Sequence, residues 1–167
     1  KSDERTTLDY SRPSHSSLCH IIWPPAEKTK NSITNILLTG MTVAGAQELV
    51  VLARSWIHPP MLQIQGENDS FVSAGYDKFQ RSYVLERKAD HANSLTFCLE
   101  ASEDSPIVNP AFVIKNWGTA PVQLKINDQL IPQGKDFRVG YVNNLEGTDL
   151  VIWIKANSNQ LLTFELF

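Results

Sequence analysis

Leu124-Lys125-Ile126-Asn127-Asp128-Gln129-Leu130-Ile131 carries the chemistry of a tight β-hairpin. Two short apolar runs flank Asn127-Asp128, residue types that tolerate the left-handed backbone of a two-residue turn. The same habit extends in both directions. Upstream, Leu95-Thr96-Phe97-Cys98-Leu99-Glu100 alternates, with Leu95, Phe97 and Leu99 on one face and Cys98 on the other. Before it, Met61–Gln65, Ser70–Tyr76 and Arg81–Arg87 read as strands, with a turn at Gly66-Glu67-Asn68-Asp69. Ile107–Trp117, Phe137–Val142, Leu150–Lys155 and Leu161–Phe167 complete the set. Val151 and Trp153 on one face and Ile152 and Ile154 on the other make one strand apolar on both sides, which predicts a central strand covered twice. Strands at roughly 8–15-residue spacing with turn chemistry between them predict a mainly β fold, an antiparallel, jelly-roll-like β-sandwich.

One short helix is expected before the strands. Thr42 can cap it, and Ala46, Leu49, Val50, Ala53 and Trp56 follow helical spacing up to Pro59-Pro60. Its Leu49/Trp56 stripe is expected against a sheet, with Arg54 pointing elsewhere. Leu18–Trp23 and Ile33–Leu38 read as short strands in a polar, turn-rich beginning. The division is therefore an N-terminal arm with flanking strands over residues 1–40 and a sandwich module over 41–167, a single domain overall. The opening Lys1-Ser2-Asp3-Glu4-Arg5 lacks a secretory signal and reads as an excised or mature segment.

With 167 residues, 42% hydrophobic and 20% charged, the chain has ordinary globular composition and the size to bury a core. A net charge of -3 disfavours nucleic acid as a partner through bulk charge. No run reaches the roughly 18 apolar residues of a membrane-spanning helix, so no membrane partner is expected.

Metal and nucleophile chemistry finds little support. His15, His20, His58 and His91 lack ligand spacing, and no nucleophile elbow or phosphate loop occurs. No cofactor is expected. Glu100, Glu103 and Asp104 are weak calcium candidates, read first as a solvated loop because the segment lacks a dedicated calcium-loop pattern. Cys19 and Cys98 form one disulfide in an oxidising compartment or stay small apolar residues in a reducing one. Tyr76, Tyr83, Arg81 and His91 lie close in sequence and offer a base with a carboxylate partner for β-elimination. Tyr83 also fits a half-buried strand, and structural constraint is the favoured reading of that proximity.

A sandwich that holds sugars uses flat rings against pyranose C–H faces, with Arg, Lys, Asn and Asp for hydroxyls and acid groups. Trp153, between Ile152 and Ile154, reads as core, and so does Trp56 on the helix stripe. Trp117, at the strand end Asn116-Trp117-Gly118, is a candidate exposed ring or a buried corner, and Tyr141 sits at a loop edge. Lys78, Arg81, Arg87 and Lys88 surround one strand; Lys115, Lys125, Lys135 and Arg138 lie on later elements. If several converge on one face they form an anion-binding groove; the alternative is an ordinary solvated surface.

The stretch from Leu95 to Gly118, the phrase Gly134-Lys135-Asp136-Phe137-Arg138-Val139-Gly140 with Leu145–Ile154 after it, and Leu52-Ala53-Arg54-Ser55-Trp56-Ile57 carry a resemblance. Together, over about residues 40–167, they resemble C-terminal β-sandwich modules of secreted bacterial lyases that act on marine algal acidic polysaccharides such as ulvan. The resemblance implies an extracellular, non-catalytic module beside a catalytic domain outside this chain, either holding the polysaccharide or bracing the enzyme. Charge and ring chemistry then nominate Lys115, Asn116, Trp117, Lys135, Arg138 and Tyr141. Trp117 or Tyr141 would be the stacking platform, and Lys115, Lys135 and Arg138 the ionic contacts.

Overall fold

A computed structural model describes residues 20–22, 37–39, 45–66, 70–88 and 94–167. The chain divides into two compact units, Lys1–Ala53 and Arg54–Phe167. In the first, β1 (His20–Ile22) and β2 (Leu37–Thr39) form an antiparallel pair. Helix α1 (Ala46–Ile57) starts in the first unit and ends in the second. Thr42, expected as its cap, lies outside the described residues. Gly45 does that work: its carbonyl accepts from the Leu49 N–H at 3.1 Å, and its N–H donates to Glu48 Oε2 at 2.8 Å, the reach-back half of a capping box. At the other end Arg54 donates to the carbonyl of Glu103 at 3.1 Å, and Pro59-Pro60 stops the helix.

The second unit continues with β3 (Met61–Ile64), β4 (Phe71–Asp77), β5 (Ser82–Arg87), β6 (Leu95–Glu100), β7 (Ile107–Val108) and β8 (Ala111–Lys115). It closes with β9 (Leu124–Ile126), β10 (Gln129–Ile131), β11 (Phe137–Asn143), β12 (Thr148–Ile154), β13 (Asn157–Ser158) and β14 (Leu162–Leu166). Two five-stranded sheets result, in the orders β10-β9-β14-β6-β3 and β11-β12-β8-β5-β4, and β13 pairs with β7 as a small third ladder. The expected hairpin is present: Asn127 and Asp128 hold φ of 47° and 65°, and Gln129 pairs with Ile126. The expected run Ile107–Trp117 is two strands, broken where Asn109 takes φ 46° ahead of Pro110.

The sandwich is mainly β with a single described helix, as the pattern predicts. It departs from a wholly antiparallel arrangement at one pairing: β5 and β8 run parallel. The chain leaves β5, passes through the other sheet as β6, and returns as β8 in its original direction. Aromatic rings fill the interior where the layers meet. Tyr83 and Phe112 are register partners across β5–β8, with centroids 5.3 Å apart; Phe97 and Phe164 are partners across β6–β14, at 5.2 Å. Phe97 to Phe112, at 4.9 Å, links the two sheets. Each of the three Phe rings is fully buried, and the Tyr83 hydroxyl donates to the Pro60 carbonyl at 2.7 Å. A buried phenol thus keeps its hydrogen bond, without which its burial would be costly.

Cys98 sits on the face opposite Phe97 and Leu99, as alternation predicts, and is a buried free thiol. Cys19 lies outside the described residues. Among the described residues no helix is long and apolar enough to cross a membrane.

Candidate functional site

Alternation in the β12 sheet turns Phe112, Ile114, Leu150, Ile152 and Ile154 into the core, each fully buried. Their neighbours in sequence therefore form the outer face, and register arranges them in three rows across the strands. The middle row runs Gly75, Val84, Val113, Val151, Gly140. On one side of it lie Val72, Glu86 and Lys115, continued by Asp149 and Val142. On the other lie Ala111, Trp153 and Arg138. The result is a floor of small apolar side chains between two polar margins. A hollow of about 460 Å³ lies over this floor, lined by Val84, Val113, Val151, Lys115 and Asp149, with Tyr76, Asp77 and Gln80 at its β4–β5 end.

Its polar groups are held in place. Asp149 Oδ1 accepts from the Asn116 N–H and Oδ2 from Asn144 Nδ2, both at 3.0 Å. Asp77 Oδ1 accepts from the N–H groups of Phe79 and Gln80 at 2.8 and 3.1 Å, closing the β4–β5 turn. Fixed carboxylates of this kind can accept further hydrogen bonds from ligand hydroxyls. Arg138 lies over the half-buried Trp153, its Cζ 4.9 Å from the ring centroid, and has no carboxylate partner among the described residues. Lys115 likewise makes no ion pair there. The indole thus orients a guanidinium whose N–H donors remain available.

The six nominated residues are not gathered in one place. Lys115 and Arg138 share the outer face. Lys135 lines a separate hollow of about 470 Å³ with Ile126, Gln129, Asp136 and Lys155, the last two joined at 3.5 Å. Asn116 occupies the turn after β8, with φ 58°. Trp117 resolves to the buried alternative: at 2% exposure its ring packs 6.1 Å from Phe71, and its Nε1 donates to the Ala120 carbonyl. It offers no platform. Tyr141 is exposed and donates to the same carbonyl at 2.8 Å. Trp153, expected in the core, instead faces outward, because the second face of β12 is only half covered. It is the residue that local sequence hid. Its signal was register: a turn at Asn144–Gly147 sets Asn143 against Thr148, and counting back sets Arg138 against Trp153.

The other expected cations disperse. Lys125 pairs with Glu165 at 3.1 Å on the opposite sheet, Arg87 donates to the Trp117 carbonyl, and Arg81 stacks at 3.8 Å on Trp56. Of the eight cations, Lys115 and Arg138 share the outer face of the β12 sheet, on its opposite margins. The Tyr76–Tyr83 pair packs edge to face at 4.9 Å. Burial pushes the Tyr76 phenol up to about 12, with Arg81 partly opposing it, and burial raises Tyr83 further. Such phenols hold their protons at neutral pH, which fits packing rather than base chemistry. His91 lies outside the described residues.

Glu100, Glu103 and Asp104 are exposed, and Glu100 accepts from Gln63 Nε2 at 2.7 Å. Among the described residues no group of three or more His, Cys, Asp or Glu side chains converges as a metal site.

No family model matches the chain, and no curated protein or solved structure matches it.

Proposed function

We propose that this chain is a non-catalytic module that holds an acidic polysaccharide, uronate or sulfated, on the outer face of its β12 sheet. It would serve an extracellular polysaccharide-degrading enzyme whose catalytic domain lies outside the chain, as the resemblance to algal-polysaccharide lyase modules implies. The observation that carries the reading is Arg138: an exposed guanidinium laid on a half-buried indole, without an acid partner among the described residues, beside an apolar floor. Val84, Val113 and Val151 offer the C–H faces of sugar rings an apolar surface. Asp77 and Asp149 accept from hydroxyls. The acid group goes to the Arg138 margin, four strands across the sheet from Asp77.

Affinity electrophoresis in gels containing ulvan, alginate or a neutral glucan tests this. Retardation in the acidic gels, weakening with added salt, is expected. Unchanged mobility in every gel would defeat the reading.

A second reading, a companion domain that braces the enzyme, draws on Phe79 and Leu145, which are 99% and 106% exposed at turns. Each is a single large apolar side chain that a contact with another protein would cover. That reading expects no retardation and a loss of stability in the parent enzyme when the two residues are replaced by serine.

A further inference from the structure

Among the described residues nothing requires a glycine at position 140. It lies in the middle of β11, an edge strand paired with β12 at every one of its residues, and faces Val151. Its backbone is not left-handed, and among the described residues an added Cβ would approach nothing closer than the Val151 carbonyl oxygen at 4.0 Å, an ordinary contact. Other glycines have local reasons. Gly66, Gly75 and Gly118 hold φ near +88°, and a Cβ at Gly147 would meet Asn116 Oδ1 at 3.0 Å. In a strand interior glycine sacrifices stability, and away from bulges and bends such a glycine often marks a place that another group approaches closely.

The surroundings say what approaches. Arg138 and Val142 stand two residues to either side of Gly140 on the same face, about 13 Å apart along the strand. Trp153 is the register partner of Arg138, and Val151 that of Gly140. Any side chain at position 140 would stand between Arg138 and Val142, where the apolar row reaches the sheet edge. We infer that Gly140 is a notch that seats one pyranose ring of the acidic polysaccharide, its apolar face on bare backbone and Val151, its carboxylate or sulfate ester at Arg138. This rests on the outer-face reading above and adds a specificity-determining position to it.

The test compares wild type, Gly140→Ala and Gly140→Val for retardation in ulvan and alginate gels, for thermal unfolding and for sedimentation. The valine variant is expected to unfold at the same or a higher temperature while its retardation weakens at least tenfold, with alanine between. Undiminished retardation of Gly140→Val overturns the notch. So does a lower unfolding temperature for both variants, since the glycine would then serve the fold. A change in sedimenting mass with retardation intact would assign the glycine to strand pairing between copies, and also overturns it. If wild type itself passes every gel unretarded, the failure lies with the outer-face reading, and the notch falls with it.

Discussion

On the outer face of the β14 sheet, Lys125 meets Glu165 at 3.1 Å and Gln63 meets Glu100 at 2.7 Å. On the outer face of the β12 sheet, Lys115 and Arg138 meet no acid among the described residues, and valines lie between them. Each face belongs to its own five-stranded sheet, and the two sheets share one core. The difference is in how charge is satisfied. On the first face described polar groups pair with one another; on the second the Lys115 and Arg138 donors have no acid among the described residues. Unpaired charge in water is cheap, so the second face costs the fold little. What distinguishes it is the pairing of oriented donors with an apolar floor.

That contrast can be broken from inside. Phe112→Ala, at the junction of both sheets, should destabilise by about 3–5 kcal/mol in urea unfolding and disorder both faces together. A loss under about 1 kcal/mol would mean that the interior is not shared. Arg138→Ala should leave urea unfolding nearly unchanged while costing about 1.5–3 kcal/mol of glycan affinity, roughly 10- to 150-fold in the gels; equal retardation to wild type would erase the contrast. Tyr83→Phe strands the Pro60 carbonyl and should cost about 1–2 kcal/mol of stability with retardation intact.

The two phenols give the contrast a pH axis. Their folded pKa values are raised above the unfolded value of 10.0, so folding keeps their full contribution below pH 10. Above it the unfolded chain loses protons that the folded chain retains, and stability falls as pH rises toward about 12. Urea midpoints measured through this window should drop, less steeply in Tyr83→Phe. A flat profile in wild type would contradict the burial assigned to the pair. The smallest effect belongs to the self-satisfied face: Lys125→Ala should cost no more than about 1 kcal/mol, because the ion pair is partly exposed, and should not change glycan retardation.

The strands were legible because their signals are local. Asn127 and Asp128 tolerate the left-handed backbone that their hairpin needs, and the alternation of Leu95–Glu100 shows which side goes in. The places of Trp153 and Trp117 are less legible for the opposite reason. Ile152 and Ile154 mark Trp153 as surrounded by apolar sequence, yet whether its face is covered depends on elements far along the chain. Gly118 marks Trp117 as a strand end, yet Phe71, a distant residue, closes over it. Of the nominated cations, Lys115 and Arg138 share a face because β12 pairs with both β8 and β11, an order that no local pattern announces. Lys135 and Lys125 have the same chemistry and lie elsewhere.

The parallel ladder has a consequence for how the molecule can be divided. Residues 61–100 supply β3 and β6 to one sheet and β4 and β5 to the other, and the strands after Ala111 supply the rest. The two portions are stitched along β5–β8 and β6–β14, with an aromatic couple on each line. A protease that nicks the exposed Glu103-Asp104 bend would sever the covalent thread and leave both stitched lines in place, so the fragments should stay associated until denaturant parts them.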